Sequence, residues 1–240
     1  MENRVTMLGF GIDKLTIKSA ADKAEELLNG NKLSILVTAN PEILNNATQN
    51  EELADVIKSS PLVVADGMSL VKLSNIKKDP FPERVTGIDL AFEILNRCAA
   101  SGKRVFLLGA KPGVAEMAVE NLKKQIPGLV ICGTADGYFK DEDADGIIKQ
   151  INDSGADFLI CAMGSPRQEF FLSRNADKLN VKLGVGVGGS LDVWSGNIKR
   201  APQKYIDHNI EWLYRLKTEP NRLGRMIKIP FFMLKVIFDK

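Results

Sequence analysis

The chain has 240 residues, a net charge of +2, 45% hydrophobic and 26% charged residues. Those fractions are ordinary for a soluble globular protein with a full core, either one large domain or one domain with an appendage. No apolar run reaches the roughly 18–20 residues of a spanning helix. There is no internal repeat, no low-complexity segment and, at Met1-Glu2-Asn3-Arg4, no signal-peptide pattern.

The charge is unevenly spread. Residues 197–240 hold ten Lys/Arg against four Asp/Glu, a net of +6, which leaves −4 on the preceding 196 residues. A basic C-terminal segment implies an anionic partner, and its apolar content suits a membrane surface better than nucleic acid. Cys98, Cys132 and Cys161 are odd in number and lack metal-ligand spacing. Each sits in an apolar pattern, so they read as buried structural thiols of a reducing compartment. The expectation is a cytoplasmic protein, on or off a membrane face.

In chain order, Arg4–Leu8 reads as a strand, with Gly9-Phe10-Gly11 turning out of it. Ser19–Asn29 is helical, with Ala20, Ala24, Leu27 and Leu28 on one face and Gly30 as the stop. Leu33–Thr38 is a strand, and Asn40-Pro41-Glu42 opens a helix with cap, first-turn proline and acid in place. Leu62–Ala65 is a buried strand, followed by a helix near Ser69–Ile76 and a proline-bearing loop over Lys77–Glu83. Arg84–Asp89 leads into a helix through Ala100; Arg104–Leu108 is a strand, 113–126 a helix and Leu129–Cys132 a strand. After the loop Gly133–Lys140 come helix 141–154, strand Asp157–Ala162, helix 167–176 and strand Val181–Val187. Strands and helices alternating at this spacing predict an α/β fold: a Rossmann-like, mostly parallel sheet with helices on both faces. Residues 1–195 form this core and 196–240 an appendage.

In the appendage, Tyr205–Lys217 has helical spacing, Pro220 and Pro230 read as breaks, and Phe231–Phe238 is almost wholly apolar. That run suits an interfacial membrane anchor with basic flanks. A helix docked on the core or on a second subunit is the other reading.

Ligands in open parallel sheets bind beyond the carboxyl ends of the strands. Leu62-Val63-Val64-Ala65-Asp66-Gly67 is a strand ending in a carboxylate, so Asp66 points into such a cleft; a helix N-cap is its alternative role. His208 is the only histidine and falls in the basic tail, so a general base in this protein is a carboxylate, with Asp66 best placed. Gly109-Ala110-Lys111-Pro112-Gly113 sits between strand and helix; its amides cradle a phosphate, or it is a plain turn. Gly164-Ser165-Pro166-Arg167-Gln168-Glu169 offers amides, a hydroxyl, a guanidinium and a side-chain amide at a helix start, an anion-binding set. Gly184-Val185-Gly186-Val187-Gly188-Gly189 matches the dinucleotide fingerprint by letter only, because the glycines begin inside the strand and no long helix follows. A glycine turn giving a ligand backbone access fits better, with Asp192 able to accept from a base or ribose. Asp141-Glu142-Asp143-Ala144-Asp145 contains D-x-D twice, a pair able to hold a divalent metal, but acids in a helix's first turn are favoured by the macrodipole anyway. Arg215, Arg222 and Arg225 add cation density suited to a diphosphate, or are simply solvated.

Taken together and in order, Thr38-Ala39-Asn40-Pro41, Ala65-Asp66-Gly67, Arg84-Val85-Thr86-Gly87-Ile88-Asp89, Leu108–Gly113, Asp136-Gly137-Tyr138-Phe139, Met163–Glu169, Val187-Gly188-Gly189, Arg200-Ala201-Pro202 and Glu211–Leu216 resemble the WecG/TagA/CpsF glycosyltransferases (glycosyltransferase family 26), in particular its members that transfer N-acetylmannosamine. The resemblance covers nearly the whole chain. It implies an inverting, metal-independent transferase without cofactor. The implied donor is UDP-N-acetylmannosamine, and the acceptor is N-acetylglucosamine on undecaprenyl diphosphate at the cytoplasmic membrane face. It implies Asp66 as base, and Thr38, Asn40 and Gln168, with Arg84 nearby, as residues placing sugar and phosphate. UDP would lie on the glycine turns (Gly109, Gly113, Gly164, Ser165, Gly188, Gly189), with Tyr138 for stacking and Asp192 for the base. Arg215, Arg222 and Arg225 would hold a diphosphate as the tail closes. Off the membrane, the apolar tail would bury against another subunit. Two other readings stand beside it: an NAD-dependent oxidoreductase or epimerase, and a non-catalytic membrane-surface module.

Overall fold

The computed structural model describes residues 3–202, 204–205, 213–214 and 228–238. Its centre is a six-stranded sheet whose neighbours all pair in parallel, in the order β4-β3-β8-β7-β5-β6. The strands are β3 (Ser34–Ala39), β4 (Leu62–Ala65), β5 (Arg104–Gly109), β6 (Val130–Ala135), β7 (Phe158–Ala162) and β8 (Leu183–Gly186). The central strands are apolar on both faces because both faces are covered. On one side Leu36, Val64, Leu107, Ile160 and Val185 meet α1 (Ile17–Leu28), α5 (Gly87–Ser101), α6 (Val114–Gln125) and α9 (Ser190–Trp194). On the other side Val37 and Val63 meet α2 (Pro41–Ala47), α3 (Glu51–Ser59) and α4 (Met68–Ile76). On that same side Phe106 and Leu159 meet α7 (Ala144–Asp153) and α8 (Arg167–Arg174).

Three features differ from the sequence reading. First, Phe10 and Gly11 do not turn away from the first strand. Leu8 (φ 50°) and Gly9 (φ 79°) form the turn, so β1 (Arg4–Met7) and β2 (Phe10–Asp13) pair antiparallel. Two successive positive φ angles give the twist a tight hairpin needs. The hairpin covers the edge of the main sheet: Asp13 Oδ2 accepts from Val63 N at 2.8 Å, and Arg4 holds the same carboxylate at 3.0 Å. Second, α2 is followed by a separate helix, α3, started by Asn50, whose side chain accepts from Leu53 N at 2.9 Å.

Third, Pro230 does not break the last apolar run. It lies in the first turn of α10 (Lys228–Phe238), where the missing N–H removes no intrahelical bond. Phe232 and Val236 of α10 are 1% and 0% exposed and join the core beside α2 and α4. Phe231 and Phe238 on its other side are 65% and 78% exposed. The docked-helix reading therefore describes this segment, and a membrane-binding appendage is not established by it. Among the described residues no helix is long and apolar enough to cross a membrane. His208 and Arg215 of the expected tail helix, and Arg222 and Arg225 beyond it, lie outside the described residues.

Candidate active site

At the carboxyl ends of β4, β3, β8 and β7 the chain leaves a cleft of about 560 Å³. Ten of the residues singled out in the sequence line it: Thr38, Asn40, Asp66, Arg84, Gly164, Ser165, Gln168, Gly188, Gly189 and Asp192. They are separated by up to 154 positions in the chain, and only the parallel sheet brings them together. Gly109, Gly113 and Tyr138 do not line it. Gly109 is required by packing, since a β-carbon there would overlap the Ala162 carbonyl of β7. Gly113 begins α6 at φ 84°, and Tyr138 is 67% exposed.

Asp66 continues the β4 ladder, its N–H donating to Ala39 O at 2.8 Å. Gly67, not Asp66, is the N-cap of α4, so the capping role does not apply. Arg84 grips Asp66 twice: Nε donates to its carbonyl at 2.6 Å, and Nη2 stands 3.5 Å from its carboxylate. Both side chains keep partial exposure, 28% for the acid and 21% for the arginine, so a ligand in the cleft can reach them. Asn40 caps α2, Oδ1 accepting from Glu42 N and Ile43 N at 2.9 and 3.0 Å, which leaves its amide nitrogen for the cleft. Thr38 Oγ1 donates to Gly186 O at 3.2 Å and retains acceptor capacity.

The glycines of β8 answer to α8. A β-carbon on Gly184 would crowd Leu172, and one on Gly186 would overlap Gln168. The short α9 follows, five residues long. Gly184 and Gly186 are thus packing positions in the strand, while Gly188 and Gly189 beyond it line the cleft, which is not the pyrophosphate turn of a dinucleotide fold. Arg167 is turned away from the cleft; it donates to Gly137 O and Phe139 O and stacks 4.8 Å over the Phe139 ring. Its place in the anion-binding set is therefore corrected: it pins the loop that carries Tyr138.

The D-x-D segment forms a one-turn 3-10 helix (Asp141–Asp143) leading into α7, with Asp145 paired to Lys178 at 2.7 Å, away from the cleft. Among the described residues no group of three or more His, Cys, Asp or Glu could hold a metal ion. The three cysteines are free, and burial pushes the Cys98 thiol up to about 12, which makes it an inert core residue.

Two carboxyls near the cleft are shifted in opposite directions. Burial alone would push Asp89 up, but hydrogen bonds from Arg200 (2.6 Å) and Thr86 outweigh it and leave the carboxyl below its ordinary range. A depressed carboxyl stabilises the fold above its unfolded pKa of about 3.9 and loses that contribution as pH falls through the folded value. Asp89→Asn is therefore expected to be less stable than the parent at pH 7, with the gap closing below about pH 4 in urea titrations.

Glu169 is the opposite case. It lines the cleft wall but is only 4% exposed, and burial pushes its carboxyl up, against the opposing pull of Gln168 and Ser165. A raised carboxyl contributes stability that is present below the unfolded pKa of about 4.3 and lost as pH rises through the folded value. Glu169→Gln is expected to melt above the parent at pH 8, the advantage shrinking toward pH 4–5 (about the unfolded range) in thermal scans. The sequence shows an acid in a helix's first turn, a common surface position; nothing in it reveals the burial.

A carboxylate held by an arginine, with backbone amides at the neighbouring strand ends, gives the cleft a proton acceptor beside donors suited to an anion. The chain belongs to the glycosyl transferase WecG/TagA/CpsF family, whose model matches residues 5–240. It is 39% identical over 210 residues to the N-acetylglucosaminyldiphosphoundecaprenol N-acetyl-beta-D-mannosaminyltransferase of Bacillus spizizenii, covering 88% of this chain and 81% of the relative. The protein of the same name from Bacillus subtilis is 36% identical over 86% of this chain and 80% of its own length. The one from Staphylococcus aureus strain MRSA252 is 34% identical over 97% of this chain and 92% of its own length.

Proposed function

We propose that the chain is an inverting hexosyltransferase. It moves N-acetylmannosamine from UDP-N-acetylmannosamine to N-acetylglucosamine on undecaprenyl diphosphate, building the linkage unit of wall teichoic acid. The observation that carries the reading is the Asp66–Arg84 pair at the strand ends of a chain whose relatives bear that enzyme name. The acceptor hydroxyl oxygen bonds to the anomeric carbon as the bond from that carbon to the diphosphate oxygen breaks. UDP leaves with the electron pair, and the hydroxyl proton passes to Asp66. A single displacement inverts the anomeric centre, in keeping with the β-linkage in the relatives' names.

Charge developing on the diphosphate is met by Arg84 and by amides at Gly164, Ser165 and Gly189, with Arg215, Arg222 and Arg225 as further cations. Asn40 and Gln168 place the sugar, and Asp192 serves the nucleoside. A polyprenyl acceptor lies in the membrane and a nucleotide sugar in the cytoplasm. The enzyme therefore works at the inner membrane face, where the +6 segment and the outer face of α10, with Phe231, Leu234 and Phe238, suit anionic lipid. Neither the NAD-enzyme reading nor the non-catalytic module has support: the β8 glycines are packing residues, and the relatives are named as transferases.

The test is UDP release from purified protein given UDP-N-acetylmannosamine and a lipid-diphosphate N-acetylglucosamine analogue, with and without EDTA. Acceptor-dependent release that survives EDTA supports the reading. Release only with metal removes the metal-independent mechanism, and none at all removes this substrate pair.

A further inference from the structure

Gln168 is held from three sides. Its Oε1 accepts from Gly188 N at 3.1 Å, so the oxygen end of the amide must face β8's exit. Its Nε2 donates to Glu169 Oε1 at 2.8 Å. Beneath it lies Gly186, where the strand offers no β-carbon because the amide occupies that space. An amide nitrogen carries two hydrogens, so one Nε2–H remains after the bond to Glu169, on a side chain that lines the cleft.

Glu169 has the complementary features. It is 4% exposed, and its Oε2 is buried without a hydrogen-bond partner among the described residues. Leaving a carboxyl oxygen buried and unpartnered costs stability. The thiol behind it on β7, Cys161, is itself pushed up by burial and brings no charge to offset that cost. What Glu169 provides at Oε1 is an acceptor directed at Gln168. Without it the amide could turn about its last bond and withdraw the remaining N–H from the cleft.

We propose that Glu169 is a positioning residue: by accepting from Gln168 Nε2 it locks the Gln168 amide over Gly186 and against Gly188, so that the second Nε2–H is presented to the bound sugar nucleotide. This rests on the transferase reading of the cleft. Glu169 acts through Gln168 and does not itself touch substrate. An acceptor at position 169 is therefore what matters, and a carboxylate is not required.

The test is a double-mutant cycle on the full chain. The measurements are kcat and KM for acceptor-dependent UDP release, Kd for UDP, and a thermal melt for each variant. Glu169→Ala is expected to lower kcat about 10-fold or more, the scale of a misplaced positioning group, with UDP affinity kept. Glu169→Leu, which fills the space without an acceptor, should match it even where the alanine variant folds poorly. Glu169→Gln, whose side-chain oxygen still accepts, should stay within about threefold of the parent. Gln168→Ala should lower kcat too, and adding Glu169→Ala to it should change kcat by less than about twofold.

Losses that multiply in the double variant would overturn the proposal, because a purely structural role adds to any other. So would an unaffected Glu169→Leu, or a Glu169→Gln as impaired as Glu169→Leu. A parent protein that binds no UDP and releases none overturns the transferase reading and this inference together. An active parent with multiplying losses overturns the inference alone.

Discussion

Asp66→Asn lowers turnover by about 100-fold or more while UDP still binds. The size follows from the loss of a general base at the step in which the acceptor hydroxyl must give up its proton. The selectivity follows from the local geometry. Arg84 Nε donates to the backbone carbonyl of Asp66 at 2.6 Å, a bond the substitution leaves in place, and Asn has the shape of Asp. The strand end, the arginine and the amide rim therefore persist, and with them the nucleotide site. Steady-state UDP release and calorimetric titration with UDP check the two halves separately. Full turnover in the Asn variant would remove Asp66 as the base; equal losses in turnover and UDP affinity would make it a binding residue.

Phe232→Ala destabilises the protein by about 3–5 kcal/mol, the cost of emptying a fully buried aromatic site. Phe231→Ser, one residue away, changes stability by less than about 0.5 kcal/mol. The contrast rests on exposure: Phe232 is 1% exposed and packs with the cluster around Leu44, Leu70 and Val63, whereas Phe231 is 65% exposed. Urea unfolding of the two variants, in the absence of lipid, measures it. Similar small effects for both would mean that α10 leaves the core in solution. A large loss for Phe232 alone gives α10 two faces, one holding the fold and one open to a surface.

Much of the core was legible because its signals are local. Buried parallel strands are short runs of branched apolar residues, and they end near their expected places; the half-exposed edge strand β6 instead runs on to Ala135, past the expected end at Cys132. Asn40-Pro41-Glu42 announced a helix by cap, proline and acid, and Asn40 caps it as expected. The hairpin was misread at its turn because Leu8 takes a positive φ, which its side chain gives no reason to expect. The last helix differs from the sequence reading because a proline reads as a stop, whereas a first-turn proline is harmless. Its burial is one of two readings the sequence leaves open, because an apolar run reads the same whether lipid or protein covers it.

The sequence by itself determined the alternating α/β order, the strand-end position of Asp66, the basic final segment and, through ordered motifs, the family. Those are properties of adjacent residues, and adjacency is what a sequence records. Tertiary structure alone decided which strand ends meet. It turned Arg167 toward a loop, left Gly109, Gly113 and Tyr138 out of the cleft, and set Arg84 on Asp66. It buried Glu169 against Gln168, which presses on a glycine of another strand. Burial and hydrogen-bond partnership across a sheet depend on strand order, here β4-β3-β8-β7-β5-β6. No local pattern encodes which strands become neighbours, because the central strands are apolar on both faces and could pair with any of the others.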